Sequence, residues 1–399
     1  MLNGKTVVVG VTGSIACYKI ANLVSMLVKL HCNVHVIMTK NATNFINPIT
    51  FETLTNNKCI VDTFDRNFQF HVAHVSLAKQ CDCMLIAPAS ANVIGKVANG
   101  IADDMLTTTI MACKKPVIFA PAMNTAMYTN PIVEDNVKKL RSYGYKIIDA
   151  DSGYLACGDT GKGKMVSEQV LLEHIKLAIA CPKNLSDKKV LITAGATQEA
   201  IDPVRYITNH STGKMGYAIA EQCLLHGAEV TLVTGITNIA KPVSAECIQT
   251  VSAEDMFNVV SKIFKDYDII IMSSAVSDYT PITVYDQKVK KSDGDMNIPL
   301  KRTKDILAYV GENKLQGQYI CGFSMETENI IQNSKAKLIK KHADMIVANS
   351  LKQQGAGFGT DTNIVTIITD RDETSLPILS KHQVAEHIIN HILKEVNSI

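Results

Sequence analysis

No pair of cysteines in this 399-residue chain has C-x-x-C spacing, although 11 cysteines are present. That removes zinc ribbons and thioredoxin-like redox motifs from consideration. Cys81 and Cys83 bracket Asp82 ahead of an apolar run, and buried reduced thiols are expected there rather than a metal site. No apolar stretch approaches the roughly 18 residues of a membrane span, and MLNGKTVVVG enters a strand-like run almost at once. The expectation is a soluble, cytoplasmic protein with no membrane partner. Charge of one sign is also lacking. The formal net charge is +2 and no long basic run occurs, which argues against nucleic acid as the main partner. Small-molecule chemistry remains.

The two commonest nucleotide fingerprints are missing too. The first glycine opening, GVTGSIACYK (10–19), has Gly10 and Gly13 but no G-x-G-x-x-G, and Thr39-Lys40 stand where a ribose-binding acid would follow the second strand. In the second opening, ITAGATQEAIDPVRYITNHSTGKMG (192–216), Gly213-Lys214 is followed by Met215, and no glycine lies five residues earlier. A Walker A loop is thereby excluded. What is present is a strand, a glycine loop and a helix, twice. Such a loop exposes backbone N–H groups at a helix N-terminus and suits phosphate. FMN is compatible with the first opening and a nucleoside triphosphate with the second.

The length predicts two domains. Apolar β-branched runs (TVVVGV, NVHVIM, CMLIAP, PVIFAP, YKIID) alternate with amphipathic stretches such as 16–30, which predicts an α/β domain on a parallel sheet. A helix should start near Ser167, and polar CPKNLSDKK (181–189) reads as a linker. The pattern then restarts with VLITAG, EVTLVTG, DIIIMSSA, YICGFS and DMIVANS, with NIVTIIT as a later strand. Two doubly wound, Rossmann-like domains are expected, over 1–180 and 190–399.

In the first half, glycines at 153, 158, 161 and 163 predict a mobile loop or flap for GYLACGDTGKGKM. Cys157 lies within it, a reactive proton donor or else a structural thiol. His71 and His74 precede a helix. Taken alone, His74 reads as a capping or buried histidine rather than a catalytic one, and no third ligand is near for a metal pair. Asn124, in PAMNTAMY, follows a strand's C-terminal end, where ligands of open α/β sheets collect, and its amide could bind a carboxylate.

In the second half, NHSTGKMG (209–216) is a helix-start signal, with Ser-Thr-Gly leading into an apolar helix. Taken alone, KVKK (288–291) reads as a solvated face rather than a binding element. Lys337 and Lys341, four apart on a predicted helix, can point together at a polyphosphate or simply into water.

GSIACYK, PASANVIGKVANGIADDMLTTT, PAMNTAMY and ACGDTGKGKM together resemble the flavin-dependent cysteine decarboxylases. With the second half, nearly the whole chain resembles the bacterial bifunctional family in which phosphopantothenate-cysteine ligase is fused to phosphopantothenoylcysteine decarboxylase. The resemblance implies that 4'-phosphopantothenate and L-cysteine are joined at the expense of CTP through an acyl-cytidylate, releasing CMP and pyrophosphate. The product is then decarboxylated with FMN to 4'-phosphopantetheine. It implies roles for His74, for Asn124 on the substrate carboxylate and for Cys157 as proton donor, with Gly13, Ser14, Thr39, Ser90 and Asn92 around FMN. In the second half Asn209 and Lys288 match catalytic positions. Ser273, Ser274, Asp278, Lys288, Lys304, Asp305, Ile306, Leu307, Phe323, Lys337 and Lys341 match CTP positions. Mg2+ should bridge the phosphates, with Asp278 as its candidate ligand. A homo-oligomer built on trimers, up to a dodecamer, is implied because the family's flavin site is completed between subunits. Lys304, Ser350 and Lys164 stand where the family usually has Pro, Asp and Arg. The competing readings are a decarboxylase active on another cysteine-bearing substrate and an inactive regulatory binding protein.

Overall fold

The computed structural model describes residues 2–64, 73–290, 296–326, 328–350 and 359–396. His71 and Lys291 lie outside the described residues. Two compact units result, Met1–Cys181 and Pro182–Ile399.

The first unit runs β1 (Thr6–Val11), α1 (Cys17–Lys29), β2 (Asn33–Met38), α2 (Pro48–Thr55), α3 (Ala73–Gln80), β3 (Cys83–Ala89), α4 (Ala91–Ala98), α5 (Met105–Ala112), β4 (Val117–Pro121), α6 (Thr125–Tyr128), α7 (Pro131–Ser142), β5 (Lys146–Ile147), β6 (Asp151–Tyr154), β7 (Thr160–Lys164) and α8 (Glu168–Ile179). β2-β1-β3-β4-β5 form one parallel sheet. Burial on both faces explains the near-continuous apolar runs. Val7, Val9 and Val11 point to one core with Leu23 and Leu27 of α1, and Val8 points to the other with Ile94 and Leu106. Each such side chain contributes about 1.5–3 kcal/mol when fully buried. Gly10 is required by closeness, since a Cβ there would lie 2.5 Å from Leu106 Cδ1. This strand order reverses between β1 and β3, so the loops after them part and leave a crevice at their carboxyl ends. Thr12 Oγ1 ties those loops together, donating to the Pro88 carbonyl (2.6 Å) and accepting from Ser90 N–H (2.9 Å).

The second unit contains β8 (Lys189–Ala194), β9 (Gln198–Ala200), β10 (Tyr206–Thr208), α9 (Lys214–Leu225), β11 (Glu229–Thr234), β12 (Glu246–Gln249), α10 (Ala253–Ile263), β13 (Ile269–Met272), β14 (Tyr279–Pro281), β15 (Leu300–Arg302), α11 (Ile306–Glu312), β16 (Tyr319–Glu326), α12 (Ile330–Lys340), β17 (Met345–Ser350), β18 (Thr362–Asn363), β19 (Val365–Ile368), β20 (Glu373–Ser375), β21 (Leu379–Ser380) and α13 (Lys381–Val396). Its eight-stranded sheet has the order β12-β11-β8-β13-β16-β17-β19-β20. The strands are parallel as far as β17, but β19 and β20 are antiparallel. The NIVTIIT run is therefore an antiparallel edge extension. Residues 182–188, expected as a linker, pack into this unit: Leu185 is buried and its N–H donates to the His226 carbonyl at 2.9 Å. Among the described residues no helix is long and apolar enough to cross a membrane.

Two local expectations are corrected. The glycine-rich stretch expected as a loop is an antiparallel hairpin, β6–β7. Gly158, at φ +92°, closes its short connection, with its N–H on the Leu155 carbonyl (3.0 Å) and Leu155 N–H on the Asp159 carbonyl (2.8 Å). Ser211 and Thr212 do not cap α9. The cap is Gly213, left-handed at φ +82°, where a Cβ would lie 3.1 Å from Gly195 Cα. Close approach of two backbones sets this helix start, not a hydroxyl.

Candidate functional sites

In the first unit a cavity of about 480 Å³ opens beside the carboxyl ends of the strands. Ser14, Ala16, Lys19, Asn124, Cys157 and Lys164 are among its lining residues. Asn124 caps α6, its Oδ1 accepting from Ala126 N–H at 2.8 Å. The cap fixes the amide so that Nδ2 faces the hairpin, 3.2 Å from Cys157 Sγ and 3.1 Å from Asp159 Oδ2. Cys157 Sγ in turn lies 3.4 Å from that Asp159 oxygen. Of the free thiols described, Cys157 is the exposed one. Cys81 and Cys83 are buried, Cys81 touching Cys113 at 3.7 Å, and no cluster that could hold a metal ion occurs among the described residues.

The hairpin is held against this site by glycine. Met123 N–H donates to the Gly163 carbonyl (3.0 Å), and a Cβ on Gly163, at φ +140°, would lie 2.3 Å from the Met123 carbonyl oxygen. Gly163→Ala should therefore cost about 1–3 kcal/mol of docking and cut the decarboxylation that the resemblance implies several-fold, with the implied ligase rate unchanged. Measuring both half-reactions on one preparation checks this; a parallel loss in both would contradict it.

Of the residues expected around the flavin, Ser14 lines the cavity and Ser90 caps α4 through Val93 N–H (3.5 Å). Gly13 packs on Asn41, where a Cβ would meet the Asn41 Cβ at 2.8 Å. Thr39, at the end of β2, has a buried hydroxyl with no hydrogen-bond partner. Asn92 is exposed on α4. The first turn of α1 has no side-chain cap, and its Cys17 and Lys19 N–H groups donate to the Ser14 and Ala16 carbonyls at 3.1 Å each. His74 is half-buried on α3 and is not among the cavity's lining residues.

In the second unit a cleft of about 400 Å³ is lined by Ser274, Asp278, Lys304, Asp305, Ile306, Leu307, Phe323, Lys337 and Lys341, together with Tyr279, Arg302 and Thr303. It sits at the carboxyl ends of β13 and β16. Lys337 Nζ donates to the Phe323 carbonyl at 2.8 Å. Lys341 pairs with Asp305, which also caps α11 by accepting from Ala308 N–H (2.9 Å). Burial pushes the Asp305 carboxyl up, but Lys341, the Ala308 N–H and Lys337 outweigh it and leave the carboxyl below its ordinary range. The Lys304 ammonium is drawn aside to Glu254 (3.4 Å) and over the Phe257 ring (4.6 Å). Ser273 is turned under the strand end, its hydroxyl donating to the Thr193 carbonyl at 3.0 Å. Asn209 is not among the cleft's lining residues; its Nδ2 donates to the Ala275 carbonyl at 3.3 Å, between the lining residues Ser274 and Val276.

Lys288 is exposed and is not among the cleft's lining residues. Its neighbour Val289 is pinned: Val289 N–H donates to Asp202 Oδ2 (3.2 Å) and its carbonyl accepts from Arg205 Nη2 (3.0 Å). The Arg205 guanidinium, Nε 3.0 Å from Asp202, holds the Asp202 carboxyl well below the usual carboxylate range against the opposing pull of burial, and the N–H groups of Val204, Arg205 and Val289 add to this. A lowered folded-state pKa gives stability that is complete above the ordinary carboxylate value, roughly 3.9. That stability is lost as the pH falls towards the folded pKa. Asp202→Asn should lower the melting temperature of the second unit at pH 7, and the gap to wild type should narrow as the pH is taken below about 4. A gap that stayed constant with pH would remove the charge from this account.

Sequence comparison places the chain in a family. The Flavoprotein family model matches residues 1–179, and the model for the C-terminal domain of DNA/pantothenate metabolism flavoproteins matches 185–396. The coenzyme A biosynthesis bifunctional protein CoaBC of Bacillus subtilis (strain 168) is 46% identical over 398 residues, 98% of this chain and 97% of that one. The chain belongs to the bifunctional coenzyme A biosynthesis family. It is an enzyme carrying both phosphopantothenoylcysteine decarboxylase and phosphopantothenate-cysteine ligase activities. A second member of the family, from Borreliella burgdorferi, is 42% identical, with 98% of this chain and 99% of its own covered. A crystal structure of the C-terminal domain of a CoaBC protein is 40% identical, covering 54% of this chain and all of that one, at a TM-score of 0.47.

Sequence reasoning missed Asp159, Arg302 and the Asp202–Arg205 clamp. Asp159 stood inside a quoted motif, but only folding the hairpin shows that its carboxylate meets Asn124. Arg302 carried no signal beyond its charge.

Proposed function

We propose that residues 1–180 decarboxylate 4'-phosphopantothenoylcysteine with FMN and that residues 190–399 make this substrate from 4'-phosphopantothenate, L-cysteine and CTP. The reading rests chiefly on the Asn124 amide and Cys157 thiol, 3.2 Å apart on one cavity wall. Losing CO2 from an acylated cysteine leaves an electron pair with no sink, because the nitrogen is already an amide. FMN, when bound, supplies the electron acceptor and later the hydride donor. The residues fit it: the unpartnered Thr39 hydroxyl beside the Gly13-Ser14 turn suits a phosphate, with Ser90 and Asn92 across the β1/β3 crevice. Asn124 holds the substrate carboxylate through Nδ2, and Cys157 delivers the proton to the carbon that CO2 leaves. Lys19 and Lys164 are the cations available to the substrate phosphate. We assign His74, which does not line this cavity, to the site of a neighbouring copy, in keeping with a homo-oligomer built on trimers.

In the second half the pantothenate carboxylate attacks the α-phosphorus of CTP, pyrophosphate leaves, and the cysteine amine then displaces CMP. Lys337, Lys341 and Lys288 offset the triphosphate charge, and Asn209 orients the acyl intermediate. Asp278, exposed on the cleft wall while Asp305 is paired with Lys341, is the carboxylate free for Mg2+, whose remaining ligands would be phosphate oxygens and water.

The test is mass spectrometry of products from purified protein given 4'-phosphopantothenate, cysteine, magnesium and CTP, beside a reaction lacking nucleotide. CTP-dependent 4'-phosphopantetheine is expected. Accumulated acyl-cysteine alone would leave only the ligase, and no CTP-dependent product would refute the reading.

A further inference from the structure

An asparagine amide has two N–H donors and one carbonyl acceptor. Those of Asn124 are all directed. Its Oδ1 is committed to capping α6 through Ala126 N–H (2.8 Å), and the opposite end of the amide faces Cys157 Sγ (3.2 Å) and Asp159 Oδ2 (3.1 Å). The amide cannot turn over without losing the cap. A substrate carboxylate that uses Asn124 must therefore take an N–H already directed at the hairpin. The group most like it there is another carboxylate, that of Asp159.

We infer that Asp159 is an internal competitor for the substrate's carboxylate: it occupies the Asn124 amide and is displaced when that carboxylate binds. The inference rests on the reading of Asn124 as the carboxylate site. It also links binding to chemistry. The Cys157 thiol lies 3.4 Å from the same Asp159 oxygen, so its proton is directed at Asp159 until the incoming carboxylate moves that side chain away. Asp159 is exposed at the tip of the hairpin, beyond the left-handed Gly158, so it can swing into water without disturbing the β6–β7 pairing.

Two probes separate the possibilities. 4'-Phosphopantothenoylserine keeps the carboxylate and has no thiol to oxidise; 4'-phosphopantothenoylethanolamine lacks the carboxylate as well. Binding of each to the full-length FMN-loaded enzyme is followed by the visible absorbance of the flavin, which reports on the decarboxylase site alone. Asp159→Asn and Asp159→Ala should each tighten the serine compound, by about fivefold for Asp159→Ala, the worth of one exposed hydrogen bond that the incoming carboxylate no longer has to break. The ethanolamine compound should bind unchanged. Equal shifts for both compounds, no shift, or weaker binding of the serine compound would overturn the inference. Asn124→Ala tests the underlying reading separately. It should weaken the serine compound towards the ethanolamine one, and if it does not, the carboxylate site is elsewhere, whatever the Asp159 variants do.

Discussion

Cys157→Ala should lower the rate of 4'-phosphopantetheine formation by about 10²- to 10⁴-fold, the usual contribution of a positioned general acid, while leaving acyl-cysteine synthesis intact. The thiol is exposed on the cavity wall and bonded to Asn124, so its loss removes a proton source without removing a core contact. CO2 should still leave, because that step needs the carboxylate held and the electrons accepted, and Asn124 remains capped and directed. The product should then be the unsaturated thiol, two hydrogens lighter than 4'-phosphopantetheine, found with CO2 by mass spectrometry of quenched single turnovers. Cys157→Ser should behave similarly, since a hydroxyl holds its proton far more tightly than a thiol. Normal turnover in Cys157→Ala would move the proton donor elsewhere. Loss of CO2 release as well would make Cys157 a binding residue.

Much of the fold could be read from the chain because parallel strands buried on both faces leave uninterrupted apolar runs. TVVVGV and VLITAG each became a central strand, and the restart of the pattern after 189 marked a second sheet. What escaped depends on long-range partners. The β6–β7 hairpin carries no apolar alternation; it is held by Gly163 against Met123, a contact between backbones that leaves no side-chain signature. The loop bearing Lys288 is fixed from Asp202, 87 residues earlier, so neither segment betrays the other. Lys304 is the instructive case. It lies in the KDIL run expected at the nucleotide, yet Glu254 and Phe257 on α10 draw its ammonium aside. Charge and spacing gave its place in the sequence but not the direction it faces. Lys337 and Lys341, equally ambiguous as a wet helix face, do line the cleft together.

The same logic assigns Asn209 a large effect in the ligase half. Asn209→Ala should slow acyl-cysteine formation by about 10²- to 10³-fold, the typical loss when one preorganised donor to a developing charge is removed, with CTP binding little changed. Its Nδ2 reaches the Ala275 carbonyl (3.3 Å), between Ser274 and Val276, both of which line the cleft. Its side chain is exposed, so truncation opens no core cavity, and its donor contact is to a backbone carbonyl that water can replace. The triphosphate charge would still meet Lys337 and Lys341. Activation of the carboxylate should therefore persist, and the block should fall on the amine's attack: pyrophosphate appears in a burst of about one equivalent per site, and acyl-cytidylate accumulates. Decarboxylation of separately supplied phosphopantothenoylcysteine should proceed at the wild-type rate, because the proposed function assigns that reaction to the first unit's residues. A pyrophosphate burst that vanished with the variant would place Asn209 in the activation step, and an unchanged steady-state rate would remove it from the reaction.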